Sequence, residues 1–341
     1  MKQHSKRWLA LGLVAALAAG TASVSALDLS MDNYYEVGKE HAFTIAYNNS
    51  MNDAVREDMS ETMVPDGMGG YTSAYYTSST LVQKRIQDMQ NEDANETAPY
   101  TIGNLLASYY TAQMSYAEME VNQALLEDNI ALMETMVQLG MKSELELLEL
   151  KNSYNQLLNG KLALESSLAQ LKGTLATQLG VTVEELNILE LEDFSQEDLA
   201  GMKERLESKQ DVGKAVEANN SLALMRYQAS QLGNHQYTVM RRQIENTTQT
   251  LRISYESACQ DMMNKYDSYL VAQQIYEKQQ ADFAVTEKQY ELGMLSDVAY
   301  TAAVEQQKLN EQAVRSAALE LRKAELKVDA FNEGVWLQTS N

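Results

Sequence analysis

The sequence predicts an all-α protein made of two tandem, long antiparallel coiled-coil hairpins, with little or no β-structure. Three observations carry this: a set of markers that occurs twice, apolar residues that step by three and four over tens of residues, and a matched glycine–serine signal midway through each copy.

The markers come first. Ile45-Ala46-Tyr47-Asn48-Asn49-Ser50-Met51 reads again as Val216-Glu217-Ala218-Asn219-Asn220-Ser221-Leu222. Gln138-Leu139-Gly140-Met141-Lys142-Ser143 reads again as Glu291-Leu292-Gly293-Met294-Leu295-Ser296, and Leu179-Gly180-Val181 again as Glu333-Gly334-Val335. The second marker lies 40 residues before the third in one copy and 41 in the other, while the first and second are 92 and 74 apart. The copies thus differ by about 18 residues early in copy one.

In chain order, residues 1–26 read as a secretory signal. Lys2, Lys6 and Arg7 precede the apolar run 8–20, and Val24-Ser25-Ala26 supplies small residues for cleavage. The first repeat is expected over 27–181, with a loop insertion at about 64–100 marked by Gly67, Gly69, Gly70 and the polar run 91–97. Within it, residues 70–82 offer the one candidate strand, through Tyr71, Tyr75 and Tyr76 among Thr and Ser.

A long helix is expected over 101–139, with its seam at Tyr116, Met119, Gln123, Leu126, Ile130, Met133 and Val137. The seam resumes after the glycine at Leu150, Tyr154, Leu157, Leu164, Leu168, Leu171 and Leu175. A connector follows at 182–211, with Ser195 and Asp198 spaced as a capping box ahead of a short helix at 197–208.

The second repeat, 212–341, carries the same steps at Tyr255, Cys259, Met262, Tyr266, Tyr269, Ala272, Tyr276, Gln279, Phe283, Thr286 and Tyr290. Its return seam is Val314, Ala317, Leu321, Ala324, Val328 and Phe331. At each tip the glycine can take the left-handed conformation that stops a helix. Ser143 or Ser296 can then cap the next one, with Glu144 or Asp297 at the positive end of its dipole. The rival reading, in which the glycines merely kink one continuous rod, predicts no reversal.

Charge narrows the partners. Once Lys2, Lys6 and Arg7 leave with the signal, 24 basic residues face 48 acidic ones, a net of −24. That balance argues against nucleic acid and anionic lipid and favours basic proteins or cations. The one cysteine, Cys259, rules out an internal disulfide and sits on the seam as a small packing residue. Beyond the signal only His41 and His235 remain as histidines. Gly67-Met68-Gly69-Gly70 lacks the lysine of a phosphate loop. Neither enzymatic activity nor a metal or cofactor is expected.

The duplicated order of Asn-Asn-Ser start, long helix, Leu-Gly-Met-x-Ser tip, Leu/Ala-rich return helix and terminal Gly resembles the TolC family of outer membrane efflux proteins, over nearly all of residues 33–336. The resemblance implies a homotrimer whose hairpins form a twelve-helix tunnel. It also implies tips that dock on the membrane-fusion adaptor of an inner-membrane transporter. Carried over, the docking residues would be Leu139, Gly140, Met141, Lys142 and Ser143 with Leu292, Gly293, Met294, Leu295 and Ser296. Acidic residues six and nine places beyond the tip glycine commonly ring the tunnel mouth in the family. Here these are Glu146 and Glu149 in copy one, against Ala299 and Ala302 in copy two.

The chain departs from the family where each copy should insert two barrel strands. Residues 231–252 carry Arg241, Arg242, Gln243, Glu245 and Asn246 and run straight into the helical seam. A membrane strand takes about 9–11 residues and a barrel at least about eight strands. The expectation is therefore an exported cell-envelope component of an efflux system that lacks the barrel and touches membranes only through its assembly. Its place would be the outer membrane and periplasm, or the outer face of a single membrane. The alternative is a barrel-less coiled-coil spacer that transports nothing.

Overall fold

Each half of the chain folds back on itself as two antiparallel rods, and the reversal sits at the expected glycine. The computed structural model describes residues 26–61, 63–65, 71–73, 78–207 and 212–337. The signal therefore lies outside the described residues, except for Ala26. The elements run β1 (Leu27–Leu29), α1 (Tyr34–His41), α2 (Phe43–Glu61), β2 (Met63–Pro65), β3 (Tyr71–Ser73), α3 (Ser78–Gln138) and α4 (Glu144–Leu179). They continue with β4 (Leu186–Ile188), α5 (Gln196–Glu207), α6 (Val212–Glu217), α7 (Asn220–Ser230), α8 (Asn234–Glu291) and α9 (Asp297–Asn332).

The long rods α3 and α8 have 61 and 58 residues, about 92 and 87 Å at 1.5 Å per residue. Their partners α4 and α9 have 36 each. All seven seam residues of α3 are half-buried, because α4 covers one side and leaves the other open. Lys161 to Glu120 at 3.1 Å and Lys151 to Glu134 at 2.7 Å bridge α4 to α3. Tyr154 also donates to Glu127 at 2.7 Å. Surface pairs of this kind fix register and add less than about 1 kcal/mol each.

All four long rods end on one device. Gly140, Gly180, Gly293 and Gly334 take φ of 70, 68, 70 and 83°. At Gly140 the Met141 N–H donates to the Met136 carbonyl at 2.8 Å and the glycine N–H to Val137 at 2.9 Å. The same crossed pair recurs at Gly293 (Met294 to Gln289, 2.8 Å), Gly180 (Val181 to Ala176, 3.0 Å) and Gly334 (Val335 to Ala330, 2.8 Å). This is the Schellman closure, which needs a left-handed residue after the helix.

The closely packed core lies at the end away from the tips, in two clusters. One holds Leu29, Tyr100, Leu106, Leu175 and Leu186. The other holds Leu222, Leu251, Tyr255, Met262 and Tyr269. β1 and β4 form a parallel pair in the first cluster, with Leu27 opposite Leu186 and Leu29 opposite Ile188. Leu29 and Leu186 point inward, while Asn187 donates to Asp28 outside at 2.7 Å. Cys259 is half-buried beside Tyr255, and burial pushes its thiol pKa up.

The structure corrects three expectations. From Ser78 on, the insertion expected as a loop at about 64–100 is helix: α3 begins at Ser78, and residues 78–99 are helical. Its asparagines are spent between helices, Asn48 donating to Asn95 at 2.8 Å and Asn91 to Asn52 at 3.2 Å, which holds α2 against α3. The strand expected at 70–82 is only Tyr71–Ser73, paired with Met63–Pro65, and it is followed by helix from Ser78. Residues 66–70 and 74–77 lie outside the described residues.

The first marker also shifts. Asn219 (φ −65°, ψ 120°) caps α7 by accepting from Leu222 N, whereas Asn48 sits inside α2. The matching bend in copy one is Ala42 (φ −57°, ψ 123°). The two third-marker glycines agree: Gly334 abuts the Ala218 carbonyl and Gly180 lies nearest that of His41.

Gly334 carries the tightest of these contacts. A Cβ there would lie 2.3 Å from the Ala218 oxygen, a backbone atom, whereas a Cβ on Gly140 would meet nothing within 4 Å. Gly140→Ala should therefore cost only the left-handed penalty of about 1–2 kcal/mol. Gly334→Ala should cost about 3 kcal/mol or more, since a backbone overlap cannot be relieved by a rotamer. Denaturant unfolding of the two variants checks the order.

Candidate functional site

The hairpin tips combine every site residue expected from the sequence. They also face the same way. Gly103 of α3 packs on Leu326 of α9, and farther along residues 111–118 of α3 share a cavity with residues 309–320 of α9. The two rods are antiparallel, so the end of α3 at Gly140 and the start of α9 after Gly293 lie at one end of the bundle.

Tip one runs Leu139 to Ser143 between α3 and α4. The Schellman closure turns Leu139 and Met141 out to solvent, 68 and 67 % exposed. Ser143 then starts α4 with a full capping box: its hydroxyl accepts from Glu146 N at 3.2 Å, and its own N–H donates to the Glu146 carboxylate at 3.0 Å. Lys142 adds an ion pair to Glu146 at 2.9 Å. The Ser143 backbone donor, then Lys142, then the Ser143 hydroxyl hold the Glu146 carboxyl down at about 2.

Tip two repeats the backbone and changes the chemistry. Leu292 and Met294 are 75 and 71 % exposed, while Leu295 is half-buried. Ser296 caps α9 by accepting from Ala299 N at 3.3 Å. In place of a salt bridge there is an aromatic brace: Tyr290 stacks on Tyr300 at 4.1 Å and 4°, and its hydroxyl donates to Asp297 at 3.0 Å.

Leaving a Leu or Met exposed forgoes roughly 1.5–3 kcal/mol of burial, and here two such residues stand out at the same places on both tips. Leu145, Leu148 and Val298 extend the apolar surface. Their sequence signal is apolar residues lying off the 3–4 seam directly after an N-cap, where no partner helix covers them. Glu149 is exposed one helical turn beyond Glu146.

The two histidines do not build a second site. His41 and His235 are both exposed, one at the end of α1 and the other at the start of α8. Among the described residues no three His, Cys, Asp or Glu side chains are grouped to hold a metal. No described helix is long and apolar enough to cross a membrane.

No protein-family model matches the chain, and no curated protein matches it. Among solved structures it is similar to a membrane protein from Pseudomonas aeruginosa, at 10% identity and a TM-score of 0.50, over 90% of this chain and 94% of that one. Looser likenesses include CusC, at 14% identity, a TM-score of 0.49 and 74% of this chain against 84% of that one. Another is the CmeC outer membrane channel of Campylobacter jejuni, at 9% identity, a TM-score of 0.47 and 91% against 87%. The chain has a tandem-hairpin fold, and among the described residues it is all-α but for four three-residue strands, with no closed barrel.

The capping box has a pH signature. A carboxyl lowered by folding stabilises the fold above its unfolded value, about 4.3, and that stabilisation is lost as pH falls through the folded value. In an NMR titration Glu146 should titrate near 2. The stability difference between the parent and Glu146→Gln should fade between about pH 4.3 and 2.

Proposed function

We propose that this chain is the conduit-type component of an envelope export system, docking on a pump adaptor through its paired tips. One observation carries the reading: two tips built on the same backbone present exposed Leu–Gly–Met segments at one end of the bundle. An apolar surface on a charged protein marks an interaction site. A partner with apolar hairpin ends of its own would bury these side chains.

In this reading the chain works as a homo-oligomer, with a trimer as the expected number. The seams of α3, of α4 before Leu175 and of α8 over residues 272–290 are half-buried and support assembly, since each leaves an apolar edge facing away from its own hairpin. Exposed Val271, Ile275 and Val285 on α8 and Leu162 on α4 would find cover against neighbouring helices. Glu149, with Glu146 behind it, would then line the mouth of the assembly and favour cations or basic segments. The inner-membrane transporter and its membrane-fusion adaptor are the proposed partners, and the cell envelope the proposed location.

A second reading has its own support. At the end away from the tips, α7 joins α8 through residues 231–233 alone, and β2 and β3 have three residues each. Three residues rise about 10 Å, against the roughly 30 Å of a hydrocarbon core. A spacer that braces the envelope without carrying cargo would need no more.

Replacing Leu139, Met141, Leu292 and Met294 together by Ser separates folding from docking. Stability should move by less than about 0.5 kcal/mol per site, as for surface changes. A host lacking the gene should regain export of toxic compounds with the parent chain and stay deficient with the quadruple variant. If the deletion alters only cell shape and leaves accumulation of those compounds unchanged, the conduit reading fails and the spacer stands.

A further inference from the structure

A cleft of about 790 Å³ opens far from the tips, between α1, α3, the connector helix α5 and the last turns of α9. Its volume lies within the range of small-molecule sites, about 300–1,000 Å³. Three kinds of group line it.

Aromatic walls come from Tyr34 and Tyr35 of α1, Tyr100 of α3 and Phe194. Tyr35 and Tyr100 pack with ring centroids 5.3 Å apart. The Lys39 ammonium already sits 4.4 Å from the Tyr35 ring, so these rings accept a cation.

Carboxylates form the second kind. Arg205 of α5 reaches across to both Glu325 and Asp329 of α9, and Glu333 lies one turn on. One guanidinium therefore serves two carboxylates and faces a third. The cleft as a whole holds Asp32, Glu197, Asp198, Glu325, Asp329 and Glu333 against Arg205 and Arg322. Burial first, and then the charge of Asp329, raises the Glu325 pKa; burial also raises Asp329, with Glu333 adding to it.

The third is Arg322. It is only 8 % exposed and lines the same cleft. Its terminal nitrogens reach Asp32 and the Glu192 carbonyl, and its face lies 4.4 Å from the Phe194 ring. Its buried Nε has no hydrogen-bond partner. A buried donor left unpaired is unfavourable, and the remaining exposed edge of this guanidinium, part of the cleft wall, offers a positive surface to an acceptor.

We propose that this cleft binds a small organic cation that also carries a hydrogen-bond acceptor. The cation lies against the tyrosines beside Glu325 and Asp329, and the acceptor turns toward Arg322. Desolvated ring and carboxylate together favour a charged amine over a neutral molecule of the same shape. The site stands independently of the tips, so docking and ligand binding can fail separately.

The probes are arginine 7-amido-4-methylcoumarin (cation, ring and carbonyl), neutral 7-amino-4-methylcoumarin, and benzyltrimethylammonium, which has no acceptor. Fluorescence and calorimetric titration of the full exported chain should rank them in the order arginyl, benzyltrimethylammonium, neutral, with at least tenfold between first and last. Binding of the arginyl probe should weaken as acidification protonates Glu325 and Asp329, with Glu333, Asp32, Glu197, Asp198, Arg205, Arg322 and Tyr34 as the other charged or titratable groups facing them. E325Q/D329N should weaken it at least tenfold with helicity unchanged. The ranking and the pH series need no variant, so they test the site even if E325Q/D329N does not fold. Equal affinity for the neutral probe, no binding of any probe, or a folded E325Q/D329N that binds like the parent would overturn the proposal.

Discussion

Everything in this architecture depends on four glycines held in the left-handed conformation. A helix of about 60 residues has no internal reason to stop, because each added residue brings one more backbone hydrogen bond at little cost. Gly140 and Gly293 end it by turning the chain so that two orphan carbonyls are met within three residues. Ser143 and Ser296 then meet the orphan donors of the next rod. Gly180 and Gly334 do the same at the other end, where the chain meets backbone rather than solvent. The tip glycines stand in open space and the core glycines against a neighbouring strand of chain. One local device therefore leaves one end of the rods in open space and closes the other against neighbouring backbone.

Burial follows that division. Fully covered side chains gather around residues 100–110, 175–186, 251–269 and 318–335, where short helices and the connector wrap the rods. Toward the tips each hairpin has only its own partner helix, and the seams stay half-covered. A two-helix ribbon buries one stripe per helix and leaves the rest to neighbours. The closely packed core therefore lies at one end, and the slender end lacks the cover a globular core would give. Ion pairs such as Lys161 with Glu120 hold register there without adding much stability.

The sequence showed most of this because a period of three and four is a long-range signal. The seam residues of both copies face their partner helix, and both reversals sit at the expected glycine. What it hid was local. Residues 91–97 look like a loop because asparagine and glutamate usually mark solvated turns, but Asn91 and Asn95 reach Asn52 and Asn48 on a helix about 40 residues away. β1 and β4 are three residues each and 159 apart, too short for periodicity and too distant for a hairpin signal. At the tips the glycine and serine types marked where the chain reverses. Glu146 showed its charge in sequence, whereas its capping role depends on a backbone angle at Ser143 that composition does not reveal.

The difference between the copies bears on how the molecule meets its surroundings. At the tips they share backbone, caps and exposed apolar pairs, so the two tips are related shapes with different chemistry around them, a salt bridge in one and an aromatic stack in the other. At the far end they share little. Copy two closes α7 onto α8 within three residues, while copy one extends α2 and α3 past that level and pairs β2 with β3. A closed barrel needs every protomer to supply matched strands long enough to satisfy each backbone group across about 30 Å. One copy with three-residue strands and another with none cannot meet that condition among the described residues. Among the described residues, the second copy has helix on both sides of residues 231–233, and the first copy pairs Met63–Pro65 with Tyr71–Ser73 between α2 and α3.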